Sequence, residues 1–215
     1  MCGKFTQMMS WGEYVTLAEM IGAPQSAAET VTPMRFATVI ALNHDGQRVA
    51  RRMRWGLVPP NAGDPMMGTK FIHARAETIE TKPTFRDAFF NRRGLVVVNT
   101  FNEGEEVTPK KTQQYVITPR GRRATAIAVI WERWTRRDEA LESFAMVTVP
   151  PNALIATITD RMPAVVDDDD WGIWLGEAPA TVDEIKAVLK TSALDMDMAK
   201  QEKKPPPPRP PGGLF

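Results

Sequence analysis

The chain has 215 residues, the length of one compact domain with room for a tail, and is 43% hydrophobic and 25% charged, which excludes wholesale disorder, a collagen-like repeat and a disulfide framework. Its 27 basic and 26 acidic residues leave a net charge of +1, so bulk charge gives no case for nucleic-acid binding and only local basic patches could make one. One cysteine cannot close an internal disulfide, and with two histidines, His44 and His73, in no zinc-like spacing, neither a metal nor a cofactor is expected. No apolar run reaches membrane-spanning length, and the start Met1-Cys2-Gly3-Lys4-Phe5-Thr6-Gln7 lacks the apolar stretch of a secretion signal, so the expected setting is the cytoplasm, with no membrane partner.

Ser10-Trp11-Gly12-Glu13 has the form of a capping box, and Tyr14, Leu17, Ala18 and Ile21 recur at helical spacing up to Gly22, which predicts a first helix. Pro33 to Val39 reads as loop running into strand. Val39 to Leu42, a turn at Asn43-His44-Asp45-Gly46, and Arg48 to Trp55 predict a hairpin. Its second strand carries Arg48, Arg51, Arg52 and Arg54; a charged strand face of this kind is more often merely solvated than part of a groove.

Phe71 to Ala76 predicts another strand, followed by a helix that opens near Pro83 and runs through Phe85, Phe89 and Phe90 to Arg92, Arg93 and Gly94, with cations where the helix dipole favours them. Gly94 to Thr100, Gln114 to Thr118, Ala124 to Trp131 and Ser143 to Val149 are β-branched and apolar and predict four more strands. Glu103, Glu105 and Glu106 read from local pattern as a solvated loop.

Asp167 to Asp170 precede Trp171, Trp174 and Leu175, and Thr181 to Glu184 forms a second capping box before Ile185, Val188 and Leu189, giving two late helices. The acidic run is explained by the N-terminal helix dipole rather than by a metal. From residue 200 the composition turns to Pro, Lys and Gly, so the expected organisation is one domain over residues 1–199 and a disordered tail over residues 200–215, with no internal repeat.

Cys2 carries the most chemistry. A small second residue permits removal of the initiator methionine, which would leave a terminal 1,2-aminothiol, with an amine of pKa roughly 7.7–8.0 beside a thiol of about 8.5. An aldehyde meeting that pair forms an imine with the amine and is then captured by sulfur as a five-membered thiazolidine. Taken alone, a second-position cysteine is more often an incidental residue on a frayed terminus.

The surrounding motifs change that weighing. Met1-Cys2-Gly3-Lys4-Phe5, Met53-Arg54-Trp55-Gly56-Leu57-Val58-Pro59, Ala74-Arg75-Ala76-Glu77-Thr78, Lys82-Pro83-Thr84-Phe85-Arg86 and Asp160-Arg161-Met162-Pro163 resemble, in order, the motifs of the SOS response-associated peptidase (SRAP) family of abasic-site processing proteins. The resemblance spans roughly residues 1–176. It implies an α+β fold, a single domain with a curved, barrel-like antiparallel β-sheet flanked by helices, acting as a monomer on single-stranded DNA that contains abasic sites. It also implies a covalent crosslink from Cys2 to the abasic-site aldehyde, self-removal of Met1, and Glu103 as acid/base group.

Three polar positions depart from the family pattern: His73 stands where an asparagine is usual, Thr159 where a histidine is usual, and Thr30-Val31-Thr32-Pro33 replaces Tyr-Asn-x-Ala-Pro. His73 could supply the imidazole that Thr159 cannot, or sit on its strand without catalytic duty. Lys4, Arg75, Arg86 and Arg161 fall at motif positions expected to face phosphates, and Trp55 is either a base-stacking wall or core. The alternatives are a non-covalent single-stranded or modified-DNA binding module, and a hydrolase in which the terminal cysteine serves chiefly maturation.

Overall fold

A computed structural model describes residues 2–8 and 29–202. The predicted first helix at Ser10–Gly22 lies outside the described residues, as does the chain from residue 203 onward. The strands are β1 (Lys4–Gln7), β2 (Glu29–Val31), β3 (Phe36–Leu42), β4 (Arg48–Trp55), β5 (His73–Arg75), β6 (Arg93–Val98), β7 (Thr100–Thr108), β8 (Lys111–Pro119), β9 (Thr125–Arg136), β10 (Glu139–Val149), β11 (Met162–Pro163), β12 (Val165–Val166) and β13 (Met196–Lys200). Among the described residues three α-helices accompany them: α1 (Pro83–Asn91), α2 (Trp171–Leu175) and α3 (Val182–Val188).

Five strands close a ring. β10 pairs with β4, β4 with β3, β3 with β6, β6 with β9, and β9 back with β10; the β4–β10 step is parallel and the other four are antiparallel. Closure removes free edges from this barrel, and it explains why Thr125 to Ile130 and Leu95 to Val98 are buried without alternation: one face fills the interior and the other is covered from outside. The expected α+β class with a curled, mainly antiparallel sheet is what the chain forms.

A second sheet, ordered β13-β8-β7-β1-β2, lies against the barrel. Its attachment is polar and buried. The Gln7 side chain at the end of β1 donates to the carbonyls of Thr38 (3.1 Å) and Val97 (3.0 Å) and accepts from the Thr38 N–H (3.1 Å), tying β1 to β3 and β6. Asn99, the one residue between β6 and β7, turns the corner by accepting the Met8 N–H and donating to the Arg123 carbonyl. These bonds locate the amino terminus, because a buried amide left without partners costs roughly 1–3 kcal/mol.

The hairpin at β3–β4 and the helix opening at Pro83 form where the sequence places them. Arg93 caps α1 by donating to the carbonyls of Phe89 and Phe90. The Thr181–Glu184 capping box is complete, with both reciprocal bonds present. In the acidic run Asp168 pairs with Arg122 and Asp167 with Lys190.

Six strands were not expected, β1, β2, β7, β11, β12 and β13, and two of them change the reading of the site and of the chain's end. β7 occupies Thr100–Thr108, where the three glutamates suggested a loop, and β13 keeps the chain in the sheet through Lys200, with the Gln201 N–H bonded to the Gln114 carbonyl at 2.8 Å. The Trp55-Gly56 step is also tightly constrained. Gly56 has φ +132°, and a Cβ on Gly68 would stand 2.3 Å from the Gly56 carbonyl oxygen, so both positions need glycine.

Candidate active site

The short β1 brings Cys2 to β7. Lys4 stands opposite Asn102 in the antiparallel register, so one step further along, Gly3 comes level with Glu103. Alternation along β7 puts Phe101 and Glu103 on the face toward the core, and Glu103 is 0% exposed. Its carboxyl group faces the backbone N–H of Cys2. Burial drives its pKa up from 4.5 to about 7, the nearby Asp160 charge adds to the rise, and the Cys2 N–H opposes it.

Cys2 is 1% exposed, and its Sγ donates to the Lys4 carbonyl at 3.5 Å. Burial pushes the thiol pKa far above the ordinary value and the Glu103 charge pushes it further, against the backbone N–H groups of Lys4 and Asn102. The sulfur is therefore held as a neutral thiol.

His73 enters from the barrel. β5 runs parallel to β10, pairing His73 with Met146, and the ring meets Trp55 edge-on at 6.0 Å. Burial lowers its pKa from 6.5 to about 4, while the Cys2 carbonyl draws it partly back without the alignment of a hydrogen bond. At neutral pH His73 is an uncharged imidazole. Thr159 lies on the turn after the short helical turn Ile155–Thr157, half-buried, its N–H bonded to the Ile155 carbonyl. Its neighbour Asp160 acts on Glu103 electrostatically. Asp160 lies inside the Asp-Arg-Met-Pro motif, whose charge was the available signal, yet sequence reasoning singled out Thr159 and Arg161 instead.

The site therefore gathers Cys2, Glu103 and His73, with Asp160 within electrostatic reach. It does not gather every expected DNA contact. Trp55 is 0% exposed: it lies between Phe5 (5.1 Å) and Phe144 (6.3 Å, nearly parallel) and donates from Nε1 to the Ile72 carbonyl, so no face is free to stack a base. Arg161 is also turned inward, forked onto Glu77 and bonded to the Thr148 carbonyl at 2.6 Å. A guanidinium so engaged orders the loop and is not offered to a phosphate.

Arg75 and Arg86 are exposed, whereas Lys4 donates to the Gln201 side chain at 2.8 Å. Along β4, Arg48, Arg51 and Arg52 pair with Glu177, Glu142 and Glu29. That pattern matches the solvated-face reading of the strand better than a phosphate groove.

Cys2 beside a buried acid, set between a curled barrel and a second sheet, fits an SRAP domain. The chain belongs to the SOS response associated peptidase (SRAP) family, whose model matches residues 1–203. It is 30% identical over 198 residues to the abasic site processing protein YoqW of Bacillus subtilis, covering 88% of this chain and 87% of that protein. It is 29% identical over 167 residues to the abasic site processing protein HMCES of Xenopus tropicalis, covering 66% of this chain and 50% of that one. A crystal structure of a Bacteroides thetaiotaomicron protein shares the fold, with a TM-score of 0.81 at 22% identity over 94% of this chain and 92% of that chain.

Proposed function

We propose that the protein captures abasic sites in single-stranded DNA as a covalent thiazolidine on Cys2, after removing its own Met1. The observation that carries this reading is the fully buried Glu103 carboxyl beside the backbone nitrogen of Cys2, the atom that becomes the α-amine once Met1 is gone.

The buried thiol stays protonated, so the amine begins the reaction by attacking the aldehyde carbon of the ring-opened sugar. Glu103, titrating at about 7, gives a proton to the resulting hydroxyl, which leaves as water. Sγ then adds to the iminium carbon and the thiol proton returns to the Glu103 carboxylate, closing the ring and restoring the acid. One aldehyde and one aminothiol combine with loss of one water, and no oxidant or metal enters. Neutral His73 beside Cys2 orients the terminus, and exposed Arg75, two residues further along β5, holds the strand's backbone as the protein works as a monomer in the cytoplasm.

Intact mass after incubation with an abasic oligonucleotide tests this. The expected species starts at Cys2 and weighs protein plus DNA less one water, with none formed by Cys2→Ala. A second reading, non-covalent single-strand binding, draws on the deeply buried thiol and the missing imidazole at Thr159. Single-strand affinity with no adduct from a Cys2-terminal wild type would establish that reading instead.

A further inference from the structure

Helix α1 carries an aromatic pattern that the site at Cys2 does not use. Phe85 and Phe89 are buried, whereas Phe90 is 39% exposed at the rim of a surface cavity of about 490 Å³ lined by Thr81, Pro83, Arg86, Asp87 and Phe90. The Phe89 ring braces Phe90 at 5.2 Å and 71°, fixing its plane. One helical turn earlier, the Arg86 guanidinium lies 5.9 Å from the Phe90 ring centroid.

The charge around this ring is positive. Lys82 and Arg86 are exposed and make no ion pair among the described residues. The one acid in the lining, Asp87, pairs with Arg92, which it shares with Glu132, and accepts the Asn91 amide at 2.9 Å; the Arg92 hydrogen bond holds its carboxyl below the ordinary value.

We propose that Phe90, Arg86 and Lys82 form a second contact for the DNA strand, with a nucleobase stacked on Phe90 and its phosphate held by Arg86 and Lys82. A flat apolar face flanked by unpaired cations matches the base-and-phosphate alternation of a single strand. The inference rests on the proposed strand-binding function and adds where the undamaged flank lies. The platform is coupled to the site: Phe85 of α1 packs at 90° and 6.0 Å on Phe71, two residues before His73. Only the seven residues 76–82 separate β5 from α1, so a longer strand is better able than a short one to reach both places.

The test measures affinity of the wild type, Phe90→Ala, Phe90→Trp and Arg86→Ala for undamaged oligo(dT) of 4 and 12 nucleotides by fluorescence anisotropy at low salt. Phe90 is exposed, so its substitution leaves the core intact. In the wild type the 12-mer should bind much more tightly than the 4-mer, and Phe90→Ala or Arg86→Ala should reduce that advantage about tenfold, with Phe90→Trp restoring it. Unchanged 12-mer affinity in both Phe90→Ala and Arg86→Ala overturns the platform while leaving the strand-binding function standing. A wild type that binds neither length overturns both. Loss of concentration-dependent self-association in Phe90→Ala, with 12-mer binding intact, also overturns it by making the patch a protein contact.

Discussion

The backbone nitrogen of Cys2 faces the fully buried carboxyl of Glu103, so the nitrogen proposed as nucleophile lies beside an acid whose pKa is about 7. Burial supplies most of that rise, which makes the pair a product of the β1–β7 pairing rather than of local sequence.

Under the proposed mechanism that pair should set the pH profile of adduct formation. The amine must be uncharged, which favours pH above about 7.7–8.0, and Glu103 must be protonated, which favours pH below about 7. Rates from denaturing gels should trace a bell centred between those values. Glu103→Gln should slow adduct formation about 10²-fold and remove the limb governed by Glu103.

Stability should respond to Glu103 and His73 with opposite signs. Glu103 has its folded pKa raised from 4.5 to about 7, so the folded state holds the extra proton and stability falls as pH rises through that window. His73 has its folded pKa lowered from 6.5 to about 4, so the unfolded state holds the extra proton and stability falls as pH drops through that window. Each contribution amounts to at most about 3 kcal/mol. Relative to wild type, Glu103→Gln should gain stability as pH rises from 4.5 to 7, and His73→Asn should gain it as pH falls from 6.5 to 4. Urea titrations across pH 4–8 check both slopes, and parallel curves for the two variants would refute the assignment.

Arg161 and Arg75 should separate cleanly. Arg161→Ala removes the fork on Glu77 and the bond to Thr148, and should cost about 2–4 kcal/mol in thermal or urea unfolding. Arg75→Ala, at an exposed position, should leave stability within about 0.5 kcal/mol and weaken oligonucleotide binding while flattening its salt dependence. The reverse outcome would return Arg161 to the DNA-contacting set.

Thr159→His tests the missing imidazole. The position adjoins Asp160, whose charge already reaches Glu103, so a histidine there adds a titrating group beside the acid. Adduct formation should speed up about tenfold with undamaged-strand affinity unchanged, and an inflection near pH 6.5 should appear in the rate profile. His73 itself should give no inflection near neutrality, because its burial keeps it uncharged there.

Sequence alone determined the elements governed by neighbours a few residues apart. The β3–β4 hairpin, the Pro83 helix and the Thr181–Glu184 cap follow from turn chemistry, proline and capping, which act locally. Ordered motifs named the family and pointed to Cys2 and Glu103.

The tertiary structure decided what each polar residue faces. β7 was missed because Glu103, Glu105 and Glu106 spoil its alternation; pairing with β1 and β8 makes the strand, and the same pairing buries Glu103 while Glu105 receives the Tyr115 hydroxyl. Trp55 and Arg161 looked like DNA contacts by type and motif, yet barrel closure put one in the core and a glutamate 84 residues away took the fork of the other. Burial and long-range pairing depend on residues far apart in the chain, so a residue's type gives its chemistry and the fold gives its partner.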